Sequence, residues 1–71
     1  MFESDREYRI EFGRKVMTKP FAGFYDPPHG ECVYFYFGDP DTTDWVMSAD
    51  GGRTFYKYYG NKAVEVKISS I

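Results

Sequence analysis

The sequence predicts a small, mostly β domain: an antiparallel sheet or barrel of five to six short strands. Three observations lead there. Apolar and charged residues alternate in "KAVEVKI", where Val64, Val66 and Ile68 share one face and Glu65 and Lys67 the other, which is the period of a half-buried strand. The chain carries seven Phe, seven Tyr and one Trp in 71 residues, many of them in the runs "CVYFYF" and "TFYKYY", and rings favour a pleated surface. Between such runs stand Gly60-Asn61 and Gly38-Asp39-Pro40, residues that turn a chain rather than extend it.

Taken in order, the first element is the least determined. Tyr8, Ile10 and Phe12 alternate as a strand from Glu7 to Phe12 would, with a second strand near Lys15 to Thr18. Ser4 and Glu7 also have the spacing of a capping box, and Tyr8, Phe12 and Val16 share a helical face, so a short N-terminal helix is the alternative. Gly13 inside that run weighs against it, at a cost of roughly 1 kcal/mol to a helix. From Pro20 to Gly30 the chain holds Pro20, Pro27, Pro28 and Gly23, which reads as a loop or an irregular edge strand. Cys32 to Phe37 forms a strand with rings or apolar groups at every position, so both of its faces want cover. Asp44 to Ile68 reads as a three-stranded meander: "DWVMS" is joined through "ADGGR" to "TFYKYY", and Gly60-Asn61 joins that to "KAVEVKI". Residues 1–71 make a single small β domain. Curling hides the edges of such short strands, which points to a small barrel of the SH3-like or oligonucleotide-binding kind.

A chain this short buries a small core, with a net stability of ~3–5 kcal/mol. One Cys leaves no intrachain disulfide and suits a reducing compartment. The charged start "MFESDREYRI" is unlike a signal peptide, and no apolar run approaches the roughly 20 residues of a membrane span. A cytoplasmic protein is therefore expected, in the host cytoplasm if phage-encoded, and no membrane partner. Eleven acidic against nine basic residues remove the simplest case for duplex DNA binding.

The octet "SADGGRTF" places Ser48, Asp50, Gly52, Thr54 and Phe55 in a fixed spacing. As a turn it is well made. Asp50 can accept from backbone N–H groups, Gly51 and Gly52 tolerate positive φ, and Ser48 and Thr54 can flank the turn with Phe55 packed beneath. These residues resemble the Asp-box, S-x-D-x-G-x-T-[FW], of sialidase propeller blades. The resemblance implies a structural hairpin and no catalytic residue. A propeller needs at least about four blades, so it does not imply sialidase activity either.

Other constellations are thin. His29 and Cys32, with Asp26 as a third, fall short of a zinc ligand set. The same His and Cys offer no orienting carboxylate for nucleophilic catalysis. Asp39, Asp41 and Asp44 gather in one acidic loop, but Asp44 stands where a calcium loop wants Gly. No phosphate-cradling glycine motif is present. The expectation is no enzyme, no metal and no cofactor.

The aromatic strands carry more. In "CVYFYF" Val33, Phe35 and Phe37 share one face, and Cys32, Tyr34 and Tyr36 the other; in "TFYKYY" Tyr56 and Tyr58 oppose Phe55, Lys57 and Tyr59. One face enters the core and the other is free for contacts. The segment "FAGFYDPPHGECVYFYF" also looks like the paired nucleic-acid motifs of cold-shock domains, with Phe21 and Phe24 one residue further apart than the first motif wants. That resemblance implies base stacking by Tyr34, Tyr36 and Phe37 beside Lys19 or Lys57. The expected partner surface is Tyr34, Tyr36, Phe37, Tyr56 and Tyr58. The expected function is non-catalytic protein binding, as in a phage or mobile-element inhibitor of the anti-CRISPR kind, with a cold-shock-like binder of single-stranded nucleic acid as the alternative. The oligomeric expectation is a monomer or a homodimer.

Overall fold

Alternation wins over the helical reading of the first segment. In the computed structural model, which describes residues 2–38 and 44–71, Tyr8 and Ile10 turn inward from a strand β1, Glu7–Phe12, and no helix occurs among the described residues. Five further strands follow: β2 Lys15–Tyr25, β3 Val33–Phe37, β4 Asp44–Ser48, β5 Phe55–Tyr59 and β6 Lys62–Ser70. Each pairs antiparallel with the next, and β1 closes on β6, giving a closed six-stranded barrel in simple up-and-down order. Closure leaves no free sheet edge in the ring. The small, mostly β class read from the sequence is borne out. Asp39 and Asp41 of the acidic loop lie outside the described residues.

One element differs from the sequence reading. The strand near Lys15 to Thr18 continues through Pro20 and Phe21 to Tyr25, where a loop or irregular edge was expected. Pro20 is tolerated because it stands opposite Glu7 at the end of the β1–β2 ladder, while its carbonyl accepts the Gly38 N–H at 2.8 Å. A bulge between Phe21 and Gly23, with Gly23 at φ 148°, then resets the register against β3. Glycine suits such a backbone position, and the bulge lets the strand bend around the barrel.

The interior is built largely of rings. Tyr8, Ile10, Phe21, Phe35, Phe37, Val46 and Val66 are buried together, with Phe2, Phe12, Met17, Val33, Phe55 and Ile68 packed at the margin. Phe2 was not anticipated. Its ring reaches Tyr8, Phe21, Phe35, Phe37 and Phe55 with centroid separations of 5.0, 5.3, 5.6, 5.4 and 5.5 Å. The segment before β1 is pinned there by backbone bonds: the Asp5 N–H donates to Phe21 O at 3.0 Å, and the Phe21 N–H donates to Arg6 O at 2.9 Å. The buried Tyr8 hydroxyl accepts the Glu3 N–H at 2.7 Å, so its burial leaves no orphan group. Beside Phe2 opens a cleft of about 550 Å³, lined in part by Phe21, Phe24, Val33 and Phe35.

Elsewhere in the interior, charge replaces rings. Lys19 stands opposite the inward Tyr8 and Lys57 opposite Val64. Both reach Asp44, at 4.0 and 3.6 Å, and Lys57 also lies over the Phe12 ring at 5.7 Å. Pairing of this kind lets half-buried charges close a small barrel.

Candidate functional site: the outer aromatic face

Alternation sends every second residue of β3, β4 and β5 outward, and here those residues are mostly rings. Register puts Tyr25, Tyr34, Met47, Tyr56 and Glu65 in one row across five strands. A second row carries Gly23, Tyr36 and Trp45. Tyr25 stacks on Tyr34 at 6.4 Å, Tyr34 meets Trp45 edge-on at 5.7 Å, and Tyr56 meets Tyr58 edge-on at 5.9 Å. The floor of this layer is Met47. It faces outward beside Tyr34 and Tyr56, lies outside the core cluster, and is still only 4% exposed. Tyr34 and Tyr56 flank it in register on the neighbouring strands.

Cys32 lies just before β3, two residues from Tyr34. The nearby thiol raises the Tyr34 pKa above the ordinary tyrosine value. Burial, and then the same thiol, raise that of Tyr56. Both shifts favour the neutral phenol, which can donate as well as accept a hydrogen bond.

Of the residues expected on the partner surface, Tyr34, Tyr36, Tyr56 and Tyr58 lie on this outer face. Phe37 does not. It is 0% exposed, packed against Tyr8 and Phe21, and its place in the contact set is corrected to the core. Alternation already separated it from Tyr34 and Tyr36; barrel closure decides that its side is the inner one. Lys19 and Lys57, the cations that the cold-shock resemblance sets beside the rings, turn inward to Asp44 instead. Tyr25, Trp45 and Met47 complete the face and were missed, while Cys32 stands on the side where alternation put it with Tyr34 and Tyr36. Trp45 and Met47 alternate with Val46 and could have been found from "DWVMS"; Tyr25 could not, because its strand was hidden by Pro20 and Gly23.

The rest of the exterior has a different character. Outward positions of β1 and β6 hold Glu7, Arg9, Glu11, Glu65 and Lys67, with Arg9 paired to Glu11 at 3.1 Å. One side of the barrel is thus charged and the other aromatic.

A turn anchors the aromatic side. Asp50 Oδ1 accepts the Ser48 hydroxyl at 2.9 Å and the N–H groups of Arg53 and Thr54 at 3.0 and 2.9 Å, while Oδ2 accepts the Thr54 hydroxyl at 2.6 Å. Ser48 Oγ in turn accepts the Gly52 N–H at 2.8 Å. Gly51 and Gly52 supply φ values of 77° and 94°, and Phe55 leaves the turn to pack on the core. The Thr54 hydroxyl and N–H, followed by Ser48 and Arg53, hold the Asp50 carboxyl well below the usual carboxylate range. This turn matters to the face because β4 and β5 share one register pair, Met47 with Tyr56. It fixes the approach of two strands whose own ladder is thin.

No family model, curated protein or solved structure matches the chain. Among the described residues, no three His, Cys, Asp or Glu side chains gather as metal ligands would, and His29 sits exposed in the loop before β3. No helix among them is long and apolar enough to cross a membrane. The outer face can stack, donate and accept through phenols, and exclude water.

Proposed function

We propose that this protein is a small, non-catalytic binding protein that acts by protein–protein contact through its aromatic face. Occlusion of a host protein by a phage or mobile-element inhibitor, of the anti-CRISPR kind and acting in the host cytoplasm, is the class of activity that suits it. The observation that carries this reading is the aromatic outer face, with Tyr25, Tyr34 and Trp45 in contact on one side of Met47 and Tyr56 and Tyr58 on the other, and no Lys or Arg at the outward positions of β3, β4 and β5. Tyr and Trp dominate protein contact hot spots because they bring large area at little entropic cost. A binder of single-stranded nucleic acid needs the same rings set in a cationic groove. The inward pairing of Lys19 and Lys57 with Asp44 removes those cations from this face, so the cold-shock-like alternative is the weaker one.

A pull-down from the native host tests the proposal. Wild-type protein is expected to retain a specific protein, and Tyr34→Ala and Tyr58→Ala to weaken its capture about tenfold or more while the domain stays folded. Capture that ignores both substitutions refutes this surface. Titration with labelled single-stranded oligonucleotides is expected to be flat; micromolar binding that weakens with salt would favour the alternative.

A further inference from the structure

We propose that the cleft beside Phe2 is a binding site for a small organic cation, an aryl or alkyl group that carries an ammonium. This site is distinct from the outer aromatic face. The cleft follows from where the strands stop. β1 begins at Glu7, opposite Pro20, so from Phe21 onward β2 has β3 on one side and no strand on the other. The N-terminal segment stands there instead, held by the Asp5 N–H on Phe21 O, with Phe2 turned into the barrel. Between that segment, the end of β2 and the Asp50 turn lies a space of about 550 Å³, with Gly51 of the turn in its lining. A volume of this order holds a small organic molecule.

The walls are apolar and left open. Phe24 pairs with the buried Phe35 and shares the inner side of the sheet with it, ring to ring at 6.3 Å, yet Phe24 is 66% exposed. Burying such a ring against a ligand recovers area that folding leaves in water. Phe2, Phe21 and Phe35 line the same space. Charge decides which group fits at the mouth. Asp26, directly after β2, is the one charged residue among those lining the cleft, and Ser4 supplies a hydroxyl. Asp26 joins none of the ion pairs found among the described residues. Arg6 is held by Glu3 at 2.9 Å, and Arg53 donates its backbone N–H to Asp50 from outside the lining. An ammonium at the mouth therefore meets a carboxylate, a hydroxyl and ring faces that attract cations, while its apolar part enters among the rings. A carboxylate ligand meets repulsion from Asp26, and a neutral one keeps only the apolar contact.

The probe is phenethylamine, with phenethyl alcohol and phenylpropionate as its neutral and anionic matches, titrated against the intact protein while backbone amides are followed by proton–nitrogen NMR correlation spectra. The amine is expected to saturate with a Kd below about 1 mM, moving the Phe24, Asp26 and Gly51 amides most. Phenethyl alcohol should bind at least about threefold more weakly, and phenylpropionate at least about tenfold. Asp26→Asn should bring the amine down to the level of the alcohol with an unchanged melting curve. Phe24→Ala should weaken binding of the amine about fivefold with little change in melting. Tyr58→Ala, on the outer face, should leave amine binding unchanged; a matching loss there would move the amine to that face and overturn the proposal. Absence of saturation, equal affinity for amine and alcohol, or indifference to Asp26→Asn or Phe24→Ala overturns it as well.

Discussion

Phe2→Ala is expected to destabilise the barrel out of proportion to its place in the chain. Phe2 meets five rings at 5.0–5.6 Å, and four of them, Tyr8, Phe21, Phe35 and Phe37, belong to the buried core. A fully buried Phe→Ala costs about 3–5 kcal/mol through lost transfer energy and the cavity left behind. Phe2 is half-buried, so about 2–3 kcal/mol is expected. That is a large part of the ~3–5 kcal/mol available to a domain of this size. At about 4–8 °C per kcal/mol for small domains, the melting temperature should fall by roughly 10–20 °C. Thermal melts by far-UV circular dichroism, with urea unfolding alongside, give both quantities. Phe24→Ala is the control: Phe24 lines the same cleft but is 66% exposed, so it should change stability by no more than about 0.5 kcal/mol. A drop below about 4 °C for Phe2→Ala, or an equal drop for Phe24→Ala, would refute the reasoning that Phe2 plugs the barrel.

Other expectations concern the turn, the core and the seam. Asp50→Ala should lower the melting temperature while leaving partner binding intact in the folded fraction; lost binding with unchanged melting would count against a structural turn. Because the native Asp50 pKa lies below its unfolded value, its contribution is complete above about pH 4 and disappears as pH falls further. The stability gap between wild type and Asp50→Asn should therefore shrink from about pH 4 toward pH 2, and a constant gap would be contrary to expectation. Phe37→Ala should cost about 3–5 kcal/mol and leave little cooperative unfolding, because the site is fully enclosed; a well-folded variant that merely loses binding would restore Phe37 to the contact surface. Amides of β4 and β5 that face one another should exchange faster than those of the β1–β2 ladder, given one register pair against six. Equal protection would mean the seam is closed by more than Met47 and Tyr56.

Most of the strands were legible because their signal is local. "KAVEVKI" and "EYRIEF" alternate cleanly, and alternation survives folding wherever one face is buried. β2 was not legible past Thr18, because "KPFAGFY" has no clean alternation and carries a proline and a glycine. What accommodates them is non-local: the end of the β1 ladder at Glu7 and the bulge opposite Tyr36. The face itself was half legible. Period two says that Phe37 parts company with Tyr34 and Tyr36, but the inward choice depends on closure against β2 and β4. Phe2 gave no pattern at all, being a single ring before a turn. The inward lysines were likewise invisible, since only closure places Lys19 and Lys57 around Asp44.

The outer rings also have a structural consequence that bears on how their binding role is tested. A small closed barrel has room inside for few large side chains, and here Tyr8, Phe21, Phe35 and Phe37 occupy it with Phe2 against them. The remaining rings must lie outside, where Tyr34 and Tyr56 cover Met47 at the one register pair that joins β4 to β5. Tyr34 therefore supports the thin seam as well as presenting a surface, and its removal exposes Met47. Tyr58 does neither to the same degree: it is 54% exposed and touches the layer edge-on through Tyr56. If the face is a contact surface, Tyr58→Ala should weaken binding with little change in melting, whereas Tyr34→Ala should lower both. Binding loss that tracks melting temperature across the two variants would mean that the rings are there to hold β4 against β5.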